Sequence, residues 1–211
     1  MSGFFISFEG GEGAGKTSQI QRIGQRLRDK GHEVITTREP GGTLEAEKIR
    51  DLLVQRDGGA WDPMSECLLF FTARRMHVET LIKPNLAKGH VVICDRFTDS
   101  TVAYQGYGHG FDLETIRKIE ALTINSFAPD ITFLLDLPPE EGLKRSERRL
   151  KREESEEDRF EQLDLSFHAK LRKGFLDIAA LHPHRVTKID ALQSLEQVEA
   201  QIWHALSEKM P

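Results

Sequence analysis

Residues 10–17 read Gly-Gly-Glu-Gly-Ala-Gly-Lys-Thr, a Gly10-x4-Gly15-Lys16-Thr17 pattern. Glycines in such a run free consecutive backbone N–H groups to converge on an anion, and a helix beginning at the lysine adds its positive end. Lys16 can then reach the β- and γ-phosphates of a nucleoside triphosphate, and the Thr17 hydroxyl can ligate Mg²⁺. Gly10, Gly11, Glu12, Gly13, Ala14, Gly15, Lys16 and Thr17 are therefore the candidate ATP-binding residues. One of them is out of character. Glu12 brings a carboxylate into a loop built for polyphosphate, where it repels the donor unless it points elsewhere.

Two arginines supply the complementary chemistry. Arg96 follows Asp95 in CDRF (94–97), and Arg38 stands in TREPGG (37–42). A planar guanidinium donates two parallel hydrogen bonds, which suits phosphate. Arginines just after two strands suggest a second phosphate site opposite the glycine-rich loop, the layout of a nucleoside monophosphate kinase. A purely structural Asp95–Arg96 pairing is the alternative. The Asn-Lys-x-Asp segment of guanine-specific switches is absent, as is an apolar strand closed by paired acids.

These residues require elements to position them. The apolar runs at 4–8, 33–37, 90–95, 130–137 and 184–190 read as strands, with helical patterns between them at 16–30, 44–55, 64–89, 113–127, 139–151, 160–181 and 194–208. Pro84 is expected to kink or interrupt the helical stretch that contains it. Strands alternating with helices predict an α/β fold, a parallel sheet covered by helices on both faces.

The chain has 211 residues, suited to a single α/β domain over 1–211. A net charge of −5 argues against a general nucleic-acid binder, and no apolar run approaches a membrane span. Cys67 and Cys94 fall in apolar stretches and read as buried thiols. His32, His77, His90 and the other histidines lack metal spacing and read as surface or packing residues. With no leader pattern, the expected location is cytoplasmic. The biased stretch 144–159 holds seven Lys/Arg and six Asp/Glu. Alone, it reads as a solvated helix face.

The segments FEGGEGAGKT, TREPGGT, LLFFTARR, DRFTDSTVAYQG, PDITFLLDL and DRFE occur in an order that resembles the bacterial thymidylate kinase family over nearly the whole chain. The resemblance implies a three-layer P-loop kinase fold around a five-stranded parallel sheet, with a helical lid at about 144–160. It implies transfer of the γ-phosphoryl of ATP to dTMP, giving dTDP and ADP for dTTP synthesis, with Mg²⁺ and as a homodimer. Phe70 then stacks on the base and Arg74 donates to a base carbonyl. Thr101 lies near the pyrimidine edge, Tyr104 crowds the 2′ position, and Ser100 and Gln105 line the same pocket. Phe70 as core and Arg74 as a surface charge is the other reading, as is a buried Tyr104 without a ligand role; Phe71 is expected in the core. Arg38 and Arg96 take the acceptor phosphate, and Glu12 faces the acceptor sugar, a solvent-facing Glu12 being its alternative. Asp95 orients Arg96 or the water shell of a metal held by Thr17. The lid carries the catalytic arginine, with Arg149 the best positional match, Arg148 and Arg152 beside it, and Arg159 closing the lid. An adenine contact is expected near Asp190 and Ala191. The rivals are a P-loop kinase for another nucleotide, a deoxynucleoside kinase with Glu9 as base, or a nucleotide-dependent switch or structural ATP-binding protein without a small acceptor.

Overall fold

The fold is described for residues 3–55, 59–153 and 159–210 of a computed structural model, the side chains of residues 152 and 153 excepted. Strands β1 (Phe4–Glu9), β2 (Val34–Arg38), β3 (Val91–Asp95), β4 (Ile131–Asp136) and β5 (Val186–Asp190) form a parallel sheet in the order β2-β3-β1-β4-β5. Because β1 lies at the centre, successive residues bury into opposite layers. Ile6 and Phe8 pack with Ile23 and Leu27 of α1 (Lys16–Asp29) and Ile202 of α9 (Leu195–Lys209). Phe5 points the other way, against Val78, Ile82 and Val92. A phenylalanine buried this completely contributes roughly 1.5–3 kcal/mol, which is why a two-sided strand is apolar throughout. Ser7 is tolerated inside because its hydroxyl shares a 2.7 Å hydrogen bond with Thr132 of β4.

Helices α2 (Leu44–Val54), α3 (Pro63–His77), α4 (Lys83–Ala87), α5 (Thr98–Thr101), α6 (Leu113–Ile124), α7 (Pro139–Glu153) and α8 (Leu165–Leu181) complete the layers. Their ends follow local chemistry. Asp62 caps α3 by accepting from Met64 and Ser65 N–H, and Asp164 caps α8 by accepting from Phe167 N–H. The latter cap starts α8 at Leu165 rather than at 160. Asn125 and Ser126 adopt left-handed conformations, stopping α6 three residues before the expected 127.

The interruption expected at Pro84 occurs just upstream, as a π-helical turn at Val78–Ile82. A proline ring clashes with the carbonyl four residues before it, here Thr80, and the widened turn relieves that contact. Asn85 Nδ2 donates to the Leu81 carbonyl at 2.7 Å. A second π-helical segment, Val102–Gly108, had no counterpart in the sequence pattern. Among the described residues, no helix is long and apolar enough to cross a membrane.

Register aligns the functional end of the sheet. Phe8 and Arg38 each pair with Asp95, so the segments leaving β1, β2 and β3 emerge side by side at the carboxyl edge. The sheet order changes direction beside β1, which opens the crevice where ligands of such sheets bind.

Candidate active site

The glycine-rich loop joins β1 to α1. Gly10, Gly13 and Gly15 have positive φ, and a side chain on Gly10 would lie 2.5 Å from the Leu135 carbonyl. At Gly13 the obstacle is the backbone of Gly142 in α7, while a side chain on Gly142 would meet the Glu12 carbonyl. These two glycines let the root of α7 press directly on the loop. Lys16 Nζ donates to the Gly10 and Gly11 carbonyls at 3.2 Å each. Burial lowers its pKa, with the nearby Arg96 charge adding to the effect. Thr17 Oγ1 lies 3.4 Å from Asp95 Oδ2, and the buried Asp95 Oδ1 has no hydrogen-bond partner.

Glu12 turns away from the loop's concave face toward the opposite wall. Its Oε1 accepts from Arg96 Nη2 at 3.0 Å and from the Tyr104 hydroxyl. Burial alone would raise its pKa, but Arg96 and Lys16 outweigh it and hold the carboxyl down at about 2. Arg96 itself has a left-handed backbone (φ 69°), and its Nη1 donates to the Gly10 carbonyl and, at 3.3 Å, to Ser100 Oγ. A non-glycine residue at that φ costs energy, which the surrounding bonds must offset to aim the guanidinium. Burial opposes its charge, but Tyr104, Glu12, Asp95 and Glu9 prevail and raise its pKa.

A cavity of about 700 Å³ connects these groups. Its wall opposite the loop includes Phe70, Arg74, Ser100, Thr101, Tyr104 and Gln105, and Arg38 lines it while paired with Glu47 at 3.1 Å. Arg74 is 2% exposed, so it is no surface charge. Its Nε donates to Glu39 at 2.7 Å and its Nη2 to the Phe97 carbonyl and Thr101 Oγ1 at 3.1 Å each, while Nη1 is buried without a partner. Phe70 lies in the cavity wall, and Phe71 is buried in the core against Ile116 and Ile119. Tyr104 meets Phe160 edge-on at 5.2 Å.

The lid arginines separate by position. Arg149 lines the cavity and contacts Glu161 Oε1 at 3.3 Å. Arg148 is exposed and does not line it. The backbone of Arg152 belongs to α7, but the expectation for its side chain lies outside the described residues. Arg159 is not in the cavity wall either: its Nη1 donates to the Leu53 carbonyl at 2.8 Å and lies 2.6 Å from buried Glu66. Burial, then the charge of Glu12, pushes the Glu161 carboxyl up to about 7.

A family model described as "Thymidylate kinase" matches residues 8–202. The chain belongs to the thymidylate kinase family. It is 50% identical over 200 residues to a thymidylate kinase of Caulobacter vibrioides, covering 95% of this chain and 94% of that one. It is 44% identical over 210 residues to a thymidylate kinase of Geobacter sulfurreducens, covering 99% of both. A crystal structure of thymidylate kinase from Ehrlichia chaffeensis superposes with a TM-score of 0.78 at 36% identity, covering 98% of this chain and 99% of that one.

Within this thymidylate kinase fold, several cavity residues escaped the sequence reading. Arg50 lines the cavity and donates to the Pro40 carbonyl at 2.8 Å. Arg145 lines the lid side and donates to the Ala191 carbonyl at 3.2 Å, beside the expected adenine contact. Its spacing of four from Arg149 was the available signal, since residues i and i+4 share a helix face. His77 is a packing residue with a polar task, bonded to Thr37 Oγ1 and Glu39. Together with Cys94 these ligand-type atoms cluster, but both ring nitrogens of His77 and both oxygens of Glu39 already have partners.

Proposed function

We propose that this enzyme transfers the γ-phosphoryl group of ATP to dTMP, giving dTDP and ADP, and that it works as a cytoplasmic homodimer. The observation that carries the reading is the division of one cavity between a phosphate loop and a wall of Phe70, Arg74, Tyr104 and Gln105. ATP places its β- and γ-phosphates over Lys16 and the loop N–H groups. Lys16 gives up its bonds to the Gly10 and Gly11 carbonyls in exchange for stronger, charge-assisted ones. In the acceptor half, the base stacks on Phe70, Arg74 Nη1 donates to a base carbonyl, and Arg96 and Arg38 take the phosphate.

A phosphate monoester has a second pKa near ~6, so the attacking oxygen is largely ionised at neutral pH and needs no base. That oxygen bonds to the γ-phosphorus as the bond to the β,γ-bridging oxygen breaks, and the electron pair leaves with ADP. Catalysis is mainly the positioning of two polyanions and the neutralisation of charge between them. Lys16, Arg96 and Arg149 supply positive charge from three sides. Mg²⁺, when bound, neutralises the triphosphate oxygens. The Thr17 hydroxyl and the unpartnered Asp95 Oδ1 are the groups that would hold such an ion.

The nucleoside-kinase reading is weakened by Glu9. Its two oxygens accept from Phe97 N–H at 2.7 Å and Ser100 Oγ at 2.6 Å, it is buried, and it does not line the cavity. A coupled assay with Mg-ATP and dTMP, dUMP, dCMP or thymidine should show dTMP as the best acceptor and thymidine as inert. Comparable turnover of thymidine, or ATP binding without turnover of any acceptor, overturns the proposal.

A further inference from the structure

Glu66 is buried at 1% exposure and lies just behind the cavity wall, without lining it. It shares a face of α3 with Phe70 and Arg74, since the three are spaced by four. Its Oε2 accepts from Gln105 Nε2 at 2.9 Å. Arg159 Nη1 approaches its Oε1 to 2.6 Å as an ion pair rather than an aligned hydrogen bond, and His109 Nε2 is 3.9 Å from Oε2.

A carboxylate beside an arginine has only acceptor atoms to offer. Gln105 must therefore turn its NH₂ toward Glu66, because its carbonyl there would set lone pairs against lone pairs. The consequence is on the opposite side of the amide. Gln105 Oε1 is buried, has no hydrogen-bond partner, and belongs to a residue in the cavity wall. Arg74 Nη1 is the matching orphan donor. A carbonyl next to a ring N–H is the grouping that would satisfy an orphan donor and an orphan acceptor in one wall. Thymine and uracil present that pair at O4 and N3, whereas cytosine presents an amino group and a bare ring nitrogen.

We infer that Glu66 is a positioning residue for base selection: by capturing Gln105 Nε2 it fixes the amide with its oxygen toward the base, so that the pocket accepts a keto-imide pyrimidine and rejects an aminopyrimidine. This rests on the reading above that Arg74 and Gln105 contact the base. Glu66 touches no substrate. Its effect is to remove a 180° ambiguity from an otherwise symmetric-looking amide. A buried amide acceptor left facing a bare ring nitrogen is unpaired, and that asymmetry of unsatisfied groups is what discriminates.

The test compares kcat/KM for dTMP and dCMP in wild type, Glu66→Gln and Gln105→Ala. Glutamine at 66 can donate as well as accept, so the Gln105 amide is free to flip. The dTMP-to-dCMP ratio should fall about tenfold or more in Glu66→Gln. Part of that fall should come from faster phosphorylation of dCMP, a gain that loss of structure does not produce. Arg74 still opposes the cytosine amino group, so the preference shrinks rather than inverts. Should Glu66→Gln not fold, Glu66→Asp withdraws the carboxylate by one methylene and carries the same expectation. If Gln105→Ala lowers the ratio while the Glu66 variants slow both substrates equally, the inference falls and the base-contact reading stands. If Gln105→Ala leaves the ratio unchanged, the base-contact reading falls, and the inference with it.

Discussion

The two halves of the cavity are built on opposite principles. On the acceptor side Arg74, Glu39 and His77 are interlocked and almost wholly buried, and Arg96 is held through Glu12, Ser100 and the Gly10 carbonyl. On the lid side Arg149 keeps 43% of its side chain exposed, and neighbouring pairs such as Lys151–Glu147 and Arg145–Glu141 follow simple i, i+4 helix spacing. A buried ion pair is costly to break, because removing one partner strands a charge away from water. Exposed pairs contribute little and exchange readily. On the proposed function, the buried half is suited to recognising a shape before the ligand arrives, while the exposed half is suited to re-pairing its arginines when a polyanion enters.

Breaking the acceptor half should cost most. Arg96→Ala removes a cation from the phosphate path and leaves the Glu12 carboxylate without its main ion partner, so kcat/KM for dTMP should fall by about 10³-fold or more. A fall of less than tenfold in steady-state assays would place the acceptor phosphate elsewhere. In the lid half the loss should be smaller and differently distributed. Arg149→Ala should reduce kcat by roughly 10²-fold with little change in KM for dTMP. Unchanged turnover, or a loss confined to KM, would remove Arg149 from the transition state.

The third contrast is the least in magnitude and concerns stability against pH. Burial, reinforced by the Asp99 charge, pushes the Glu9 carboxyl from 4.5 up to about 8. Between those values the folded protein holds a proton that the unfolded chain has released, so stability present at low pH is lost as pH rises toward 8. Glu161 at the lid contributes in the same sense between 4.5 and about 7. His109 and His168, whose pKa values burial lowers, act in the opposite sense, so the wild-type Tm should fall relative to that of Glu9→Gln, by about 5 °C between pH 5 and 8. Glu9→Gln should flatten that slope more than Glu161→Gln, since Glu9 is the more deeply buried. Equal slopes in both variants would mean that the two halves do not differ in this way.

Residues that obey local rules were legible without coordinates. The loop 10–17 combines spacing with flanking elements, and Arg96 follows a strand end, so the phosphate chemistry could be read from sequence. Alternating apolar runs predicted the parallel sheet, but the order β2-β3-β1-β4-β5 depends on long-range pairing that no local pattern encodes. Glu66, Glu161 and Arg145 were hidden for another reason. Each is a charged residue on a helical or lid segment, where a solvated side chain is the ordinary expectation, and only tertiary packing gives each its specific partners. Arg159 was legible as part of DRFE, yet its partners Glu66 and Leu53 lie about a hundred residues away in the chain and take it out of the cavity wall.

The contact between Gly13 and Gly142 gives the lid helix a fixed bearing. With no side chain on either residue, the first turns of α7 rest on the phosphate loop itself, and the helix leaves that bearing in one direction. Rise along a helix is 1.5 Å per residue, so the reach of each lid arginine is set by its count from Gly142, much as marks on a ruler are set by its zero. Charge composition beyond the root can then drift without moving the zero. What the fold must preserve is the address at which an arginine stands, and Arg149, seven positions from that origin, occupies an address that opens onto the cavity lined by the glycine-rich loop.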